Sequence, residues 1–232
     1  LGSLLFGVGN RPLTWGMVVA AFVGIFVAAG FVVKKRWDGV FIDRDNRISL
    51  SRFQIVVWST LILGSLFAAG ASNAVNEAVT GGALEIVVPP EILALLGLST
   101  LSAIGAPLIK ENKAHDVEPN SAQDVANMIK TAESLNAVPS FRGRVLSKSS
   151  AIDARWRDII LGDYEGAGFV DVSKLQQLAF TMLLVLVYAV GLIEVMKGSG
   201  PIDEFPTVST GCLALLGISH AAYLADKQLG DS

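Results

Sequence analysis

The strongest constraint in this sequence is a set of five long apolar runs. A helix rises ~1.5 Å per residue and the hydrocarbon core of a bilayer is ~30 Å thick, so about 20 apolar residues can cross it. Hydrophobic residues make up 52% of the chain and charged residues only 17%, more apolar surface than a soluble domain can cover. We therefore predict an all-α integral membrane protein with five transmembrane helices, at residues 13–33, 53–71, 90–109, 172–196 and 205–225.

The first run is predicted to be a retained helix and not a signal peptide. It is too long for the apolar part of a signal, and it ends at Lys34, Lys35, Arg36 and Trp37 where small residues would mark a cleavage site. The sequence opens at Leu1 without a methionine, so we expect further residues upstream.

The basic residues predict how the chain crosses the membrane. With five crossings, one side receives residues 34–52, 110–171 and 226–232. Every lysine and arginine lies on or at the edge of that side except Arg11 and Lys197. By the positive-inside rule, the N-terminus lies outside, and the long central segment and the C-terminus lie in the cytoplasm.

Two parts of the chain repeat each other. The sequence LALLGLS at 93–99 returns as LALLGIS at 213–219, and SRFQ at 51–54 corresponds to SKLQ at 173–176. Each of the latter is a Ser-x-x-Gln capping box, which predicts that the second and fourth helices begin there. An even number of crossings separates the copies, so the repeats are parallel. The predicted parts are an N-terminal helix (1–36), a first two-helix repeat (37–110), a cytoplasmic segment (111–162) and a second repeat (163–232).

Small residues on the predicted helices indicate close packing. Such residues let another backbone approach, and they recur every four positions along the first helix. Its partner is either this chain's own bundle, which we favour, or a second subunit. Gly97 and Gly217, which are equivalent in the two repeats, are predicted to mark helix crossings. The complete packing face comprises Gly16, Ala20, Gly24, Ala28, Gly97 and Gly217.

A ring of polar residues is predicted inside the cytoplasmic half of the membrane. Ionisable groups in lipid are expensive and often functional, so His220 is the candidate for a proton- or ion-linked site. The alternative, which we favour, is that a neutral imidazole hydrogen-bonds between helices. The ring comprises His220, Ser219, Thr181, Ser99, Thr100, Ser59 and Thr60.

The cytoplasmic segment is predicted to contain two short amphipathic helices, at 121–135 and about 150–161. The second carries Trp156 on its apolar face, with Arg155 and Arg157 elsewhere. A tryptophan beside arginines suits a helix that lies on the membrane surface or docks onto a partner protein.

No catalytic motif is present in the sequence, so we expect no enzyme and no cofactor. The single cysteine, Cys212, lies in an apolar run and cannot form an internal disulfide or a thiolate cluster.

The turn at Asp43 and Asp45 resembles part of a calcium-binding loop, but Arg47 replaces an oxygen ligand and Gln54 replaces the bidentate glutamate. A polar turn is favoured over a metal site. Nucleic-acid binding is not expected, because aromatic residues do not alternate with the basic ones.

The motifs SLSRFQ…WST (49–60) and LLGISHAAYLA (215–225) resemble those of a family of bacterial multi-pass integral membrane proteins. The resemblance covers roughly residues 40 to 227, and it implies the fold and a bacterial inner membrane but no activity. From the residues, our first hypothesis is a structural or assembly subunit that forms a homo-oligomer or anchors a partner at the cytoplasmic face. The alternative is a small channel or carrier with a polar path near His220.

Overall fold

The computed structural model describes residues 10–76, 82–115, 139–142, 145–163 and 169–229, and it is mostly helical. Its five long helices correspond to the five apolar runs: α1 (Arg11–Lys34), α2 (Leu50–Ala74), α3 (Pro90–His115), α4 (Val172–Lys197) and α5 (Thr210–Leu229). Three of them, α1, α2 and α4, are long and apolar enough to cross a membrane. The apolar parts of α3 and α5, Pro90–Ala106 and Thr210–Ala225, are shorter.

Helices α2, α3, α4 and α5 pack around one apolar core, and α1 packs mainly on α2. Within the described chain, few side chains of α1 are buried, so most of this helix faces outward. Its contact with α2 is close at Gly64, where an added Cβ would lie 3.2 Å from a methyl group of Val19. The core itself comprises Trp58, Leu61, Ile62, Ala69, Ile92, Leu95, Tyr188, Leu192, Met196, Ile202, Phe205 and Leu216.

The bundle has two different ends. At the charged end, which comprises residues 34–49, 145–163 and 169–174, the chain folds into short turns and bridges that join α1, α2 and α4. Lys148 N donates to Asp45 O (2.9 Å), and Asp171 N donates to Ile160 O (2.9 Å). At the opposite end, Arg11 at the start of α1 donates through its Nε to Ser72 Oγ near the end of α2. The helices therefore alternate in direction.

The charged end contains a β-hairpin that the sequence did not predict. Strand β1 (Pro139–Arg142) pairs with β2 (Val145–Lys148) in antiparallel register, with Pro139 opposite Lys148. The hairpin lies within the predicted cytoplasmic segment. The predicted helix at 121–135 lies outside the described residues.

The predicted amphipathic helix at 150–161 is wrong. The chain there forms two 3₁₀ turns, Ala151–Asp153 and Trp156–Ile160, with Ala154 between them outside the helical region (ψ 134°). Local side-chain hydrogen bonds compete with a helix: Ser150 Oγ accepts from Ile152 N (3.3 Å) and Asp158 Oδ2 accepts from Arg155 N (2.9 Å).

The predicted capping boxes are also wrong, although the helices begin close to them. Helix α2 begins at Leu50 with Ser49 as its N-cap, and α4 begins at Val172 with Asp171 as its N-cap. Asp171 Oδ1 accepts from Lys174 N (2.9 Å). Ser51 therefore lies inside the first turn, and Gln54 is free to point into the bundle.

Candidate functional site

Five polar side chains form a hydrogen-bonded layer across the four-helix core. They come from all four helices and are buried: Gln54 from α2, Ser102 from α3, Gln177 and Thr181 from α4, and His220 from α5. We call this set the polar layer. Two of its members, Thr181 and His220, belong to the ring predicted from the sequence.

Gln54 and Thr181 connect α2 to α4. Gln54 Nε2 donates to Thr181 Oγ1 (2.7 Å), and the same hydroxyl donates to Gln177 O one turn back in its own helix (2.8 Å). Gln177 Nε2 lies 3.4 Å from Gln54 Oε1, which adds a longer hydrogen bond between the two amides. The pairing satisfies groups that would otherwise be costly in an apolar core.

His220 connects α5 to both α3 and α4 through one ring nitrogen. Its Nδ1 lies 2.6 Å from Ser102 Oγ and 2.9 Å from Gln177 Nε2. Because the amide nitrogen of Gln177 is a donor, Nδ1 accepts and the neutral ring carries its proton on Nε2. That Nε2 is buried and has no hydrogen-bond partner among the described residues.

Other buried polar atoms of the same four helices share this lack of a partner in the described chain. A buried hydroxyl or N–H without a partner costs about 1–3 kcal/mol, and in native proteins such groups are usually satisfied by protein or by water. The atoms concerned are Ser99 Oγ, Ser219 Oγ, Trp58 Nε1, Tyr188 Oη and Gln177 Oε1, besides His220 Nε2.

Three further members of the predicted ring, Thr100, Ser59 and Thr60, are not part of the polar layer. Thr100 donates to Leu96 O of its own helix (2.8 Å), and Ser59 is half-buried. Thr60 is buried, and its hydroxyl has no partner among the described residues. Sequence reasoning missed Gln54, Gln177 and Ser102. A signal was present for Gln177, which lies on the same face of α4 as the predicted Thr181, one turn earlier.

A cluster of buried charges covers the charged end of this core. Asp163 binds Arg47 (3.2 Å) through one carboxylate oxygen and Lys174 (3.1 Å) through the other. All three side chains are buried. Both cations also donate to Leu161 O. Since Lys174 lies one turn before Gln177 on α4, the charge cluster lies next to the polar layer.

A second buried ion pair fixes the hairpin to the 3₁₀ turns. Lys148 Nζ donates to both carboxylate oxygens of Asp158, at 2.8 and 2.7 Å, and to Asp153 O at 2.9 Å. Burial lowers the pKa of Lys148, and its hydrogen bonds to Asp158 oppose that shift. The three hydrogen bonds that the ammonium group donates use all of its N–H groups.

The turn that resembles a calcium loop is a hydrogen-bonded polar turn. Asp43 Oδ1 accepts from the backbone nitrogens of Asp45 (2.9 Å) and Arg47 (3.1 Å), and Ile42 pairs with Ile48. Within the described residues, no group of three or more histidine, cysteine or acidic side chains could hold a metal ion.

The predicted surface residues lie in an aromatic cluster at the charged end. Trp156 stacks on Trp37 with ring centroids 5.9 Å apart, and it also contacts Phe41 and Phe53. Trp37 and Trp156 remain 59% and 40% exposed. Arg155 and Arg157 on either side of Trp156 are exposed as well.

The predicted packing face of α1 is turned away from the chain's own bundle. Gly16, Ala20, Gly24 and Ala28 are all exposed, and a Cβ added at either glycine would meet nothing within 4 Å. A Cβ added at Gly97 or Gly217 would also meet nothing within 4 Å, so the expectation that these glycines mark crossings of the paired helices is not met by the described chain. Close backbone approach occurs instead at Gly30, where an added Cβ would lie 2.5 Å from Val40 N.

No protein-family model, curated protein or solved structure matches this chain.

Proposed function

We propose that this protein is a membrane-embedded structural or assembly subunit of a bacterial inner membrane, which uses the exposed small-residue face of α1 to pack against a second transmembrane helix. The observation that carries the proposal is the exposure of Gly16, Ala20, Gly24 and Ala28, at four-residue spacing, on a helix that also exposes large apolar side chains such as Val23 and Ile25. In lipid, helix association depends on close packing, and small residues permit it.

Five membrane crossings fit this role. Helices α3 and α5 pack against each other and against α2 and α4, which are long enough to cross a bilayer. The polar layer joins all four helices at one level, which favours α3 and α5 running through the same slab as their neighbours. With the basic residues concentrated at the charged end, the proposed orientation puts that end in the cytoplasm.

The charged end supplies a surface for the membrane or for a partner. Tryptophans favour the bilayer interface, and Trp37 directly follows the basic end of α1. Trp156 stacks on it from the 3₁₀ turns, flanked by Arg155 and Arg157. This arrangement would hold the segment 145–163 against the headgroup region, ready to anchor a cytoplasmic partner.

The test compares two neighbouring alanines of α1 that are both exposed. Ala20→Leu puts a large side chain on the small-residue face, and Ala21→Leu puts the same side chain one position away. Self-association is measured in liposomes by energy transfer between labelled copies, and association with other proteins by pull-down in mild detergent. We expect Ala20→Leu to reduce one of these associations and Ala21→Leu to leave it unchanged. Equal effects of the two substitutions, or no association of the wild type, would contradict the proposal.

A second candidate function is a small channel or carrier, favoured by the unpartnered polar atoms of Ser99, Ser219 and His220 in the core. A polar path through lipid needs such groups to replace the hydration of a solute. Liposome flux of small ions, measured for wild type and His220→Ala, tests it. Flux that the substitution abolishes would support the carrier and contradict a purely structural role.

A further inference from the structure

The charged end and the first turn of α2 separate their charges by exposure. Among the residues that the structure describes there, no acidic side chain is exposed. The acids, all buried or half-buried, are Asp38, Asp43, Asp45, Asp153, Asp158, Asp163 and Asp171. The exposed charged side chains are all basic: Lys35, Arg44, Arg52, Arg155 and Arg157.

The inward acids are held by groups of the chain itself. Asp158 and Asp163 form the buried ion pairs described above, and Asp38 pairs with Arg36 at 2.8 Å. Asp171 accepts a backbone hydrogen bond at the start of α4. A carboxylate that is paired inside the fold contributes little to the potential outside it. The described surface of this end is therefore positive.

Three of the exposed cations lie next to aromatic residues that contact one another. Trp156 stacks on Trp37 and lies between two arginines in the sequence. Phe53 meets Trp156 edge-on, with ring centroids 6.4 Å apart, and directly follows Arg52 on α2. Ile152 is 70% exposed, and its carbonyl oxygen accepts from Arg36 Nη1 (2.8 Å), one residue before Trp37. We call this surface the basic aromatic patch; it comprises Trp37, Trp156, Ile152, Arg52, Arg155 and Arg157.

The basic aromatic patch lies where α1 ends. Phe31, Val32 and Val33 in the last turns of α1 are each more than half exposed, and such an apolar surface suits lipid. Lys35 ends the helix in the left-handed conformation (φ 56°), and Trp37 follows two residues later. A tryptophan just beyond an exposed apolar turn is typical of the headgroup region of a bilayer. Stacking on Trp37 holds Trp156 close to the same level.

We propose that the basic aromatic patch binds the headgroups of anionic phospholipids, such as phosphatidylglycerol, in the cytoplasmic leaflet. This inference rests on the proposed placement of the charged end at the cytoplasmic surface of the membrane. The guanidinium of arginine can bind a phosphate through two parallel N–H···O bonds, and an anionic leaflet attracts basic residues near its surface. An acidic protein segment would meet the same charges, but the exposed Trp37, Trp156 and Ile152 favour a lipid, which offers apolar chains beside its phosphate.

The test identifies the lipid beside the patch by quenching of tryptophan fluorescence. The protein is reconstituted without other proteins into phosphatidylcholine vesicles that contain a minor fraction of phosphatidylglycerol. Bromine, which quenches tryptophan at short range, is placed on the acyl chains of one lipid or the other. All proteins carry Trp15→Phe, which removes the tryptophan of the opposite end. Trp58 is fully buried and gives the same background in every variant.

We expect brominated phosphatidylglycerol to quench the fluorescence more strongly, mole for mole, than brominated phosphatidylcholine. Arg155→Gln and Arg52→Gln should each weaken the relative affinity for phosphatidylglycerol by up to about fivefold, the contribution of one basic residue near an anionic surface. The two arginines lie on different elements, so the comparison survives if one variant does not fold. Lys197→Gln removes an exposed cation at the opposite end and should leave the preference unchanged.

Equal quenching by the two lipids would overturn the proposal and favour an acidic protein segment as the partner of the patch. A loss of preference in Lys197→Gln as large as that in Arg155→Gln would overturn it too, because the preference would then not arise at the patch. Quenching by neither lipid would show that Trp37 and Trp156 lie away from the bilayer, which contradicts the proposed placement of the charged end itself. Association through α1 is measured separately with Ala20→Leu, so the two proposals can fail independently.

Discussion

Lys148 Nζ lies 2.8 and 2.7 Å from the two carboxylate oxygens of Asp158, and both side chains are buried. The pair connects the β-hairpin to the 3₁₀ turn that carries Trp156. A buried ion pair of this kind stabilises a fold only while both partners are present, because each charge alone would lie in an apolar surrounding.

The first prediction follows from that pairing. Lys148→Met leaves the Asp158 carboxylate without its cation, and we expect a loss of about 3–5 kcal/mol in the free energy of unfolding. The double substitution Lys148→Met, Asp158→Leu removes both charges and should cost clearly less than the sum of the two single substitutions. Chemical unfolding in detergent, followed by tryptophan fluorescence, measures all three. Additive losses would show that the two charges do not stabilise each other.

The second prediction concerns acid. Arg36 donates two hydrogen bonds of 2.8 Å to Asp38, and these hold the pKa of Asp38 below its usual range. A carboxyl whose folded pKa is lowered stabilises the protein above its unfolded pKa of about 3.9, and that stabilisation disappears as the pH falls through the folded value. Arg36→Gln should therefore lower the melting temperature more at neutral pH than at the lowest pH, where only the pH-independent hydrogen bond to Ile152 O is lost. Lys35→Gln, at an exposed neighbour, is the control. A difference in melting temperature between Arg36→Gln and the wild type that does not change with pH would contradict this account.

The apolar runs predict helices because a single segment that crosses lipid satisfies its own backbone only as a helix. The structure has a helix at each of the five runs, and three of these helices are long and apolar enough to cross a membrane. The start of α5 is wrong: the helix is predicted from residue 205 and begins at Thr210. Ile202 and Phe205 are apolar because they are buried in the core as an extended segment. There Phe205 N donates to Val87 O (3.0 Å). Apolar composition alone does not distinguish an apolar helix from an extended apolar segment that is buried in the core.

The polar layer could be predicted only in part. His220 and Thr181 are conspicuous because they lie in apolar runs, but which side chains meet them depends on how each helix is rotated. The repeat does not help, because Thr100, the counterpart of His220, bonds to its own helix. The Ser-x-x-Gln pattern predicts that Gln54 belongs to a helix cap. The helix begins two residues earlier than that pattern predicts, so the amide of Gln54 lies inside the bundle.

The third prediction separates the polar layer from polar groups that bond within one helix. Thr181→Val removes the acceptor of Gln54 Nε2. We expect the free energy of unfolding to fall by about 0.6–1.7 kcal/mol, which are the average and the maximum for hydrogen bonds between helices in a membrane protein. Thr100→Val removes only a bond to Leu96 O, so its loss should be smaller. Unfolding in detergent measures both. Equal losses would indicate that the bond between α2 and α4 contributes nothing beyond a local one.

The fourth prediction compares two glycines of α1. At Gly30 an added Cβ would lie 2.5 Å from Val40 N, so Gly30→Ala forces the following turn away and should destabilise the fold. A Cβ added at Gly24 would meet nothing within 4 Å, and Gly24→Ala should stabilise the monomer by up to about 1 kcal/mol through helix propensity. Melting temperatures measured in dilute detergent should therefore fall for Gly30→Ala and rise for Gly24→Ala. A loss at Gly24→Ala under those conditions would mean that the face is already covered.

The fifth prediction concerns the end of the bundle opposite the charged end. There the side-chain amide of Asn73 makes two hydrogen bonds to the backbone of the loop between α4 and α5. Its Nδ2 donates to Ile202 O (2.9 Å) and its Oδ1 accepts from Ile202 N (3.0 Å), and both residues are buried. Asn73→Ala leaves two buried backbone groups unpaired, so the free energy of unfolding should fall by about 1–3 kcal/mol or more. Hydrogen exchange locates the effect: the Ile202 amide should exchange much faster, while amides in the middle of α2 stay protected. A loss of stability without faster exchange at Ile202 would show that Asn73 stabilises the end of α2 and not the loop.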